Sequence, residues 1–236
     1  MNNWIRKTFF FNQPKRDEWV AAQAGLVPAG ARVLDVGAGS CPYRALFAHC
    51  DYHTHDFEQL KPTQLRDRKG YGQIDYIGDI CSIPVADASF DVILCTEVLE
   101  HVPEPIRAVK EFARIVKPGG KVLLTAPLGS GLHQEPYHFY GGYTPHWYRR
   151  FLQEAGFEDV RIVSNGDFFS LYGQESVRCA RMLAPWKGRA QLLWLPVWCL
   201  GLPWCVCAPF FAGFWDKLDR EKTFTVGYHV SATRCR

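Results

Sequence analysis

"VLDVGAGSCP", residues 33–42, is where an apolar run meets a glycine turn. Val33, Leu34 and Val36 read as a buried strand, and Gly37-Ala38-Gly39 as a turn that lets the backbone approach a ligand closely. A dinucleotide-binding fingerprint would place a third glycine where Pro42 stands, so the pyrophosphate cradle is incomplete. Proline there still suits the start of a helix, since the first helical position needs no donor. An acid, Asp35, lies two residues before the first glycine. The turn therefore favours a cationic ligand group over an anionic one.

Outward from this turn, residues 31–126 alternate short apolar runs with helical patterns, as expected for a parallel sheet with crossover helices. Strands are read at "RVLDVG", "YHTHDF", "IDYIGD", "FDVILCTE" and "KVLLTAP". Between the last two, Ile106, Val109, Phe112, Ile115 and Val116 recur at helical spacing, opened by prolines and stopped by Pro118-Gly119-Gly120. "YTPHWYRRFLQEAGF" adds an amphipathic helix and "EDVRIV" a sixth strand. In "TFTVGYHVSA", Phe224, Val226, Tyr228, Val230 and Ala232 alternate with Thr225, Gly227, His229 and Ser231, which predicts an antiparallel strand with one buried face. The fold class is α/β: a Rossmann-like, mostly parallel seven-stranded sheet with an antiparallel last strand and an apolar, proline-broken helical insert before it.

The 236 residues suit one large domain with an appendage. The expected division is an N-terminal helical lid over 1–30 and a main domain over 31–236, with the insert at about 180–220. With 27 basic against 24 acidic residues, the net charge of +3 gives no basis for a nucleic-acid surface. Nine cysteines, an odd number without paired metal spacing, read as reduced thiols in a cytosol-facing protein. The first twenty residues hold too short an apolar run for a secretory signal, so a cytoplasmic location is expected.

Residues 192–215, "LLWLPVWCLGLPWCVCAPFFAGFW", carry no charge. As a helix they would reach about 36 Å, enough for a hydrocarbon core of roughly 30 Å. Pro196, Pro203 and Pro209 interrupt them, at about 3 kcal/mol each inside a regular helix. A single crossing would also strand residues 223–232 away from their sheet. The expected form is a broken, shallow or re-entrant hairpin.

Asp56 ends the second strand, twenty-one residues after Asp35, at the interval of an acid that receives a ribose diol. Asp79, in "YIGDIC", is a third acid at a strand end. Three acids around a glycine turn suit a nucleoside that carries positive charge and no phosphate, and S-adenosylmethionine has that chemistry. Through "VLDVGAGS", Asp56, "GDI", "SFDVILCTEVLEHV", "KPGGKVLLTAP" and "GF", the sequence resembles the class I S-adenosylmethionine-dependent methyltransferases, in particular the methyltransferase type 11 group, over residues 31 to about 164. The resemblance implies that Gly37, Ala38 and Gly39 line the methionine portion, with Asp35 helping to hold its amino group. It implies further that Asp56 takes the ribose, that Asp79, Ile80 and Cys81 border the adenine, and that Glu97 adjoins the cofactor.

Acceptor residues are expected after the fourth and fifth strands. "PLGSGLHQEPYHFYGGYTPHWY" supplies His133, Glu135 and His138 as candidate catalytic groups, with Tyr137 and Tyr140 as aromatic surface. Glu97, Glu100 and His101, at i, i+3 and i+4, could share one helical face, and similar clusters bind a divalent cation in some ubiquinone-pathway and small-RNA methyltransferases. No second ligand set is identifiable, so no metal is assigned and His101 ranks below the other two histidines. An N-terminal helix at "QPKRDEWV" could bring Arg16 or Trp19 to the cofactor or simply pack on the surface.

A looser likeness, to methyltransferases of surface-polysaccharide and glycolipid assembly, implies O-methylation of a small or lipid-linked acceptor. The apolar insert, with Arg178, Arg181, Lys187 and Arg189 before it, suggests peripheral or monotopic contact with the inner membrane face. The alternatives are a quinone or phenolic natural-product methyltransferase and a noncatalytic interaction module on the same fold. The sequence leaves the acceptor and the oligomeric state open.

Overall fold

The computed structural model describes residues 12–66, 70–185 and 188–236. They form two compact units: one joins Glu18–Val163 with Gly227–Arg236, and the other joins Ser164–Val226 with the residues up to Asp17. The unit with the apolar stretch thus begins well before residue 180. Of the expected lid, residues 1–11 lie outside the described residues, and α1 (Asn12–Ala24) follows.

The sheet unit is built on β1 (Arg32–Val36), β2 (Asp51–Asp56), β3 (Tyr76–Ile77), β4 (Phe90–Thr96), β5 (Val116–Pro127), β6 (Phe157–Ser164) and β7 (Gly227–Arg234). Their order is β3-β2-β1-β4-β5-β7-β6. β1 pairs in parallel with both β2 and β4, and β7 runs antiparallel to β5. The chain steps one way from β1 to β2 and β3, then returns to place β4 and β5 on its other side. That reversal opens a crevice beyond the carboxyl ends of β1 and β4, where ligands of such sheets bind.

Alternation along the strands supplies two cores. Leu34, Val36, Ile93, Cys95, Val122 and Leu124 share one with Val109 and Phe112 of α2 (Pro105–Ile115) and with Tyr148 and Leu152 of α3 (Pro145–Glu154). Val33, Val92, Leu94 and Leu123 share the other with Val20 and Ala24 of α1. Each fully buried phenylalanine in such a core, Phe112 among them, is worth about 3–5 kcal/mol against alanine. α2 starts at Pro105 and ends at Ile115, where β5 takes over at once, so Pro118-Gly119-Gly120 lies within the strand run and does not cap the helix.

β7 departs from the expected one-sided pattern. It begins at Gly227, Phe224 is left exposed, and His229 is buried along with Tyr228 and Val230. Trp19 of α1 covers His229, with ring centroids 5.0 Å apart, so both faces of the strand are packed. A Cβ at Gly227 would lie 2.6 Å from the Ala126 carbonyl oxygen, which explains the glycine at the start of this pairing.

The second unit is a helical hairpin of α4 (Phe168–Met182) and α5 (Leu195–Trp215). The apolar stretch is not broken as its prolines led us to expect: α5 runs through Pro203 and Pro209. Pro196 falls in the first turn, where no donor is needed. Pro209 cannot donate to the Cys205 carbonyl four residues back; the Ser176 hydroxyl of α4 lies 3.3 Å from that carbonyl, while its shorter contact, at 2.8 Å, is to the Gly173 carbonyl of its own helix. The two helices pack closely where Gly173 meets Pro209; a Cβ at 173 would sit 2.8 Å from the proline Cα. Asp216 accepts from the Ser170 amide at 2.9 Å and so complements the positive end of α4. Lys187 and the side chain of Arg189 lie outside the described residues.

Candidate functional site

The glycine turn is fixed by its neighbours. The Gly37 and Ala38 amides donate to the His55 carbonyl of β2, at 2.8 and 3.1 Å. Gly37 and Gly39 have φ of +72° and +53°, and a Cβ on Gly37 would fall 2.3 Å from Val98 Cγ2. Glycine is required there by conformation and by the approach of the segment after β4.

Asp56, buried at the end of β2, clamps the turn. Its Oδ2 accepts from the Gly39 amide at 2.9 Å and its Oδ1 from the Glu58 amide at 3.0 Å. Burial pushes this carboxyl above its ordinary range, against those backbone donors. Lone pairs that these amides leave free can accept from a diol.

Asp35 is 1% exposed and accepts from the Tyr52 hydroxyl. Burial drives its carboxyl up to about 7; the Tyr52 bond opposes this, repulsion from Asp56 adds to it, and Arg44 draws it back. A carboxyl so poised ionises readily when an ammonium arrives. Asp79 is exposed; its Oδ1 accepts from the Cys81 amide at 2.8 Å, which shapes the turn through Ile80.

The acidic, glycine-lined set fits S-adenosylmethionine. Asp35 matches an ammonium, Asp56 a ribose diol, and the Asp79–Cys81 turn an amine-bearing base, while the incomplete glycine fingerprint leaves no cradle for a pyrophosphate.

Glu97 does not share a helical face with Glu100 and His101. It takes a left-handed backbone, φ +54°, its amide donates to the Thr125 carbonyl at 2.8 Å, and its Oε1 accepts from the Thr125 hydroxyl at 2.8 Å. Helical structure starts only at Leu99, as one short turn to His101. Glu97 is therefore held between the ends of β4 and β5, and the potential metal-ligating group is instead Glu100, His101 and His133, with one candidate atom each within 4.8 Å of one another.

His133 and His138, from the loop after β5, meet His101. Ring centroids are 4.5 Å apart for His133 and His138, 4.7 Å for His101 and His133, and 5.6 Å for His101 and His138. Their neutral tautomers follow from their partners. His101 Nδ1 faces the Tyr137 carbonyl at 2.5 Å and His133 Nδ1 the Gly131 carbonyl at 2.9 Å, so both carry hydrogen on Nδ1 and a lone pair on Nε2. The Ser130 hydroxyl donates to the Gly141 carbonyl at 3.1 Å and therefore accepts from His138 Nε2, also at 3.1 Å, which leaves the lone pair on Nδ1. Burial lowers His101 to about 4, and His133 and His138 lower it further against the Tyr137 bond; His138 is lowered by the same causes of burial and a neighbouring ring.

Glu135 is exposed, and its loop is tied to the segment after β2. Gln64 Nε2 donates to the Glu135 carbonyl and Gln134 Nε2 to the Gln64 carbonyl, each at 3.0 Å. The Tyr137 hydroxyl donates to Gln59 Oε1 at 2.8 Å. The sequence places His101 below His133 and His138, and the structure sets it against both; Tyr52, Ser130 and Gln64 are not singled out by the sequence. Only the strand alternation that puts Tyr52 on the same side as Thr54 and Asp56 hinted at the first.

Residues 34–124 match the family model described as a methyltransferase domain. The ubiquinone biosynthesis O-methyltransferase of Xanthomonas axonopodis pv. citri is 36% identical over 118 residues, which span 48% of either chain. That of Xanthomonas oryzae pv. oryzae is 29% identical over 194 residues, 76% of this chain and 77% of its own. The chain thus spans about half the length of the first of these relatives. Among solved structures, a putative methyltransferase from Bacillus halodurans C-125 superposes with a TM-score of 0.55 at 18% identity, covering 94% of this chain and 100% of its own. The Haemonchus contortus phosphoethanolamine N-methyltransferase 2 in complex with S-adenosyl-L-methionine gives 0.55 at 16% identity, over 94% of this chain and 52% of its own. These last two show the fold, and the sequence matches show a methyltransferase domain. Residues 34–124 thus carry a methyltransferase domain, and over them the chain is similar to S-adenosylmethionine-dependent methyltransferases.

Proposed function

We propose that this protein methylates the oxygen of a phenolic, quinol-type acceptor. The reading rests chiefly on the three facing imidazoles: Val98, which packs on Gly37, leads three residues later to His101, and the loop after β5 brings His133 and His138 to it. The bases thereby adjoin the carboxylate-lined turn.

Asp35 would hold the ammonium of the cofactor, Asp56 its ribose hydroxyls, and the Asp79–Ile80–Cys81 turn its base, with Gly37, Ala38, Gly39 and Glu97 lining the methionine side. When bound, S-adenosylmethionine supplies an electrophilic methyl on a sulfonium sulfur. Beside such a methyl donor, the acceptor proton would pass to an imidazole lone pair, Nε2 of His133 or His101 or Nδ1 of His138. Phenolic hydroxyls ionise near pH 10, within reach of a neutral imidazole, whereas sugar hydroxyls are far weaker acids. This chemistry, together with the names of the curated relatives, favours the quinone alternative over the glycolipid acceptor.

Phe57 and Tyr137, with ring centroids 5.0 Å apart, supply aromatic surface at the same loop junction. The test is methyl transfer from isotopically labelled S-adenosylmethionine to a panel of catechols, demethylated quinols and glycan hydroxyls, read by mass spectrometry. Labelled methyl ether on the phenols is the expected result. Labelling of glycans alone would reinstate the glycolipid reading, and cofactor binding without transfer to any hydroxyl would favour a noncatalytic module.

A further inference from the structure

The feature that methyl transfer leaves unused is the α4/α5 hairpin. Residues 192–218 are long and apolar enough to cross a membrane, yet they are mostly exposed. On α5, the residues buried against α4 are Ala208, Pro209 and Ala212, one narrow sector of the helix. Around the rest, at 100° per residue, Leu195, Val206, Phe210, Leu200, Trp204 and Val197 sweep through about 200° and all are exposed. An apolar face that docks on a protein groove spans about 100°. A surface twice as wide needs a partner that wraps it, which a lipid phase does and a groove does not.

Charge and topology specify how. α4 and α5 run antiparallel, with Trp198 Nε1 donating to the Ala180 carbonyl at 2.9 Å, so Arg178 and Arg181 stand beside the start of α5. Arg178, exposed, pairs with Glu175 at 3.3 Å. The chain enters the hairpin from β6 and leaves it to β7, neighbours in one sheet. A full crossing by α5 would have to bring α4 back through hydrocarbon with Glu175, Arg178 and Arg181, at about 2.5–3.5 kcal/mol for each charge near the bilayer centre. Insertion from one side keeps these groups at the headgroups, where cations meet anionic lipid.

We propose that the hairpin is a monotopic anchor that sinks Leu193, Val197, Leu200 and Trp204 into an anionic bilayer surface. It is independent of the acceptor. Leu193 and Leu200 are 82% and 83% exposed, so charging them leaves the packed core intact.

The test is flotation of the whole protein with phosphatidylcholine vesicles, with and without phosphatidylglycerol, beside a Leu193→Glu/Leu200→Glu variant whose circular dichroism and S-adenosylmethionine affinity are measured in parallel. The native protein should float with the anionic vesicles, less so in high salt, and the variant should stay at the bottom while binding cofactor unchanged. Failure of the native protein to float with either vesicle overturns the proposal. So does a discrete detergent-free dimer that the variant converts to monomer, since the covering surface would then be a second copy of this chain.

Discussion

Asp56 holds the glycine turn from the adjacent strand, with the Gly39 amide donating to its Oδ2 at 2.9 Å. One carboxylate thus shapes the turn and presents the lone pairs proposed to receive the ribose. Asp56→Ala removes both at once. With charge-assisted hydrogen bonds worth about 1.5–3 kcal/mol each, cofactor affinity should fall about ten- to hundred-fold. Calorimetric titration with S-adenosylmethionine checks this, and unchanged affinity would remove Asp56 from the site.

Asp35 couples stability to pH in the direction opposite to a salt-bridged acid. Its folded pKa of about 7 lies above the unfolded 3.8, so between these values the folded state binds more protons and stability falls as pH rises. Asp35→Asn keeps an acceptor for the Tyr52 hydroxyl and removes the buried charge. It should raise the melting temperature of the cofactor-free protein at pH 8, flatten the slope between pH 4 and 7, and weaken S-adenosylmethionine binding. A variant melting below the native protein at pH 8 contradicts the assignment.

The sheet order, the acids at strand ends and the switch-point crevice were legible because each depends on period-two alternation and on residues fixed by their place after a strand. The histidine set was only half legible: His133 and His138 lie in one loop, but His101 joins them through a fold contact that no spacing encodes. Glu97 misled for a related reason. A helical i, i+3, i+4 reading presumes a helix, and the Thr125 pairing pulls Glu97 into a left-handed turn before one begins. α5 departs from the expectation because the proline penalty applies to an isolated helix, whereas α4 packs against α5 at Pro209, where Gly173 permits the close approach.

His101 and His138 should stay neutral, and so able to accept a proton, down to acid pH, since burial lowers His101 to about 4 and lowers His138 too. The acid limb of kcat/KM is expected below histidine's ordinary range near 6.5. Stability also declines as pH falls below that range, because the unfolded chain takes up protons that the folded one resists. His133→Ala and His138→Ala should each lower kcat about ten- to hundred-fold and leave cofactor affinity nearly unchanged. Loss of affinity with kcat preserved would transfer these residues to the cofactor site.

Chelation separates imidazole bases from metal ligands. Glu100 Oε1 and His101 Nε2 are 3.9 Å apart, whereas tetrahedral ligands bonded at about 2.0–2.1 Å stand roughly 3.3 Å from one another. Binding would require Glu100 and His101 to draw together. Activity is therefore expected to survive dialysis against EDTA. Loss of activity, restored by Mg²⁺ or Mn²⁺, would identify Glu100, His101 and His133 as a cation site.

The hairpin unit tests how a proline-containing helix is stabilised. Ser176→Ala deletes a hydroxyl that lies 2.8 Å from the Gly173 carbonyl and 3.3 Å from that of Cys205, and should cost about 1 kcal/mol with no steric change. Gly173→Val places a Cβ 2.8 Å from the Pro209 Cα, with bulk beyond it, and should cost more because backbone has to move. In chemical denaturation followed by tryptophan emission, which samples Trp198, Trp204 and Trp215 of α5, both variants should shift the midpoint downward, Gly173→Val further. Ser176→Cys, which retains a weak donor, should fall between native and Ser176→Ala. A midpoint for Ser176→Ala equal to the native value would mean that the Ser176 hydroxyl contributes nothing to the joint between α4 and α5.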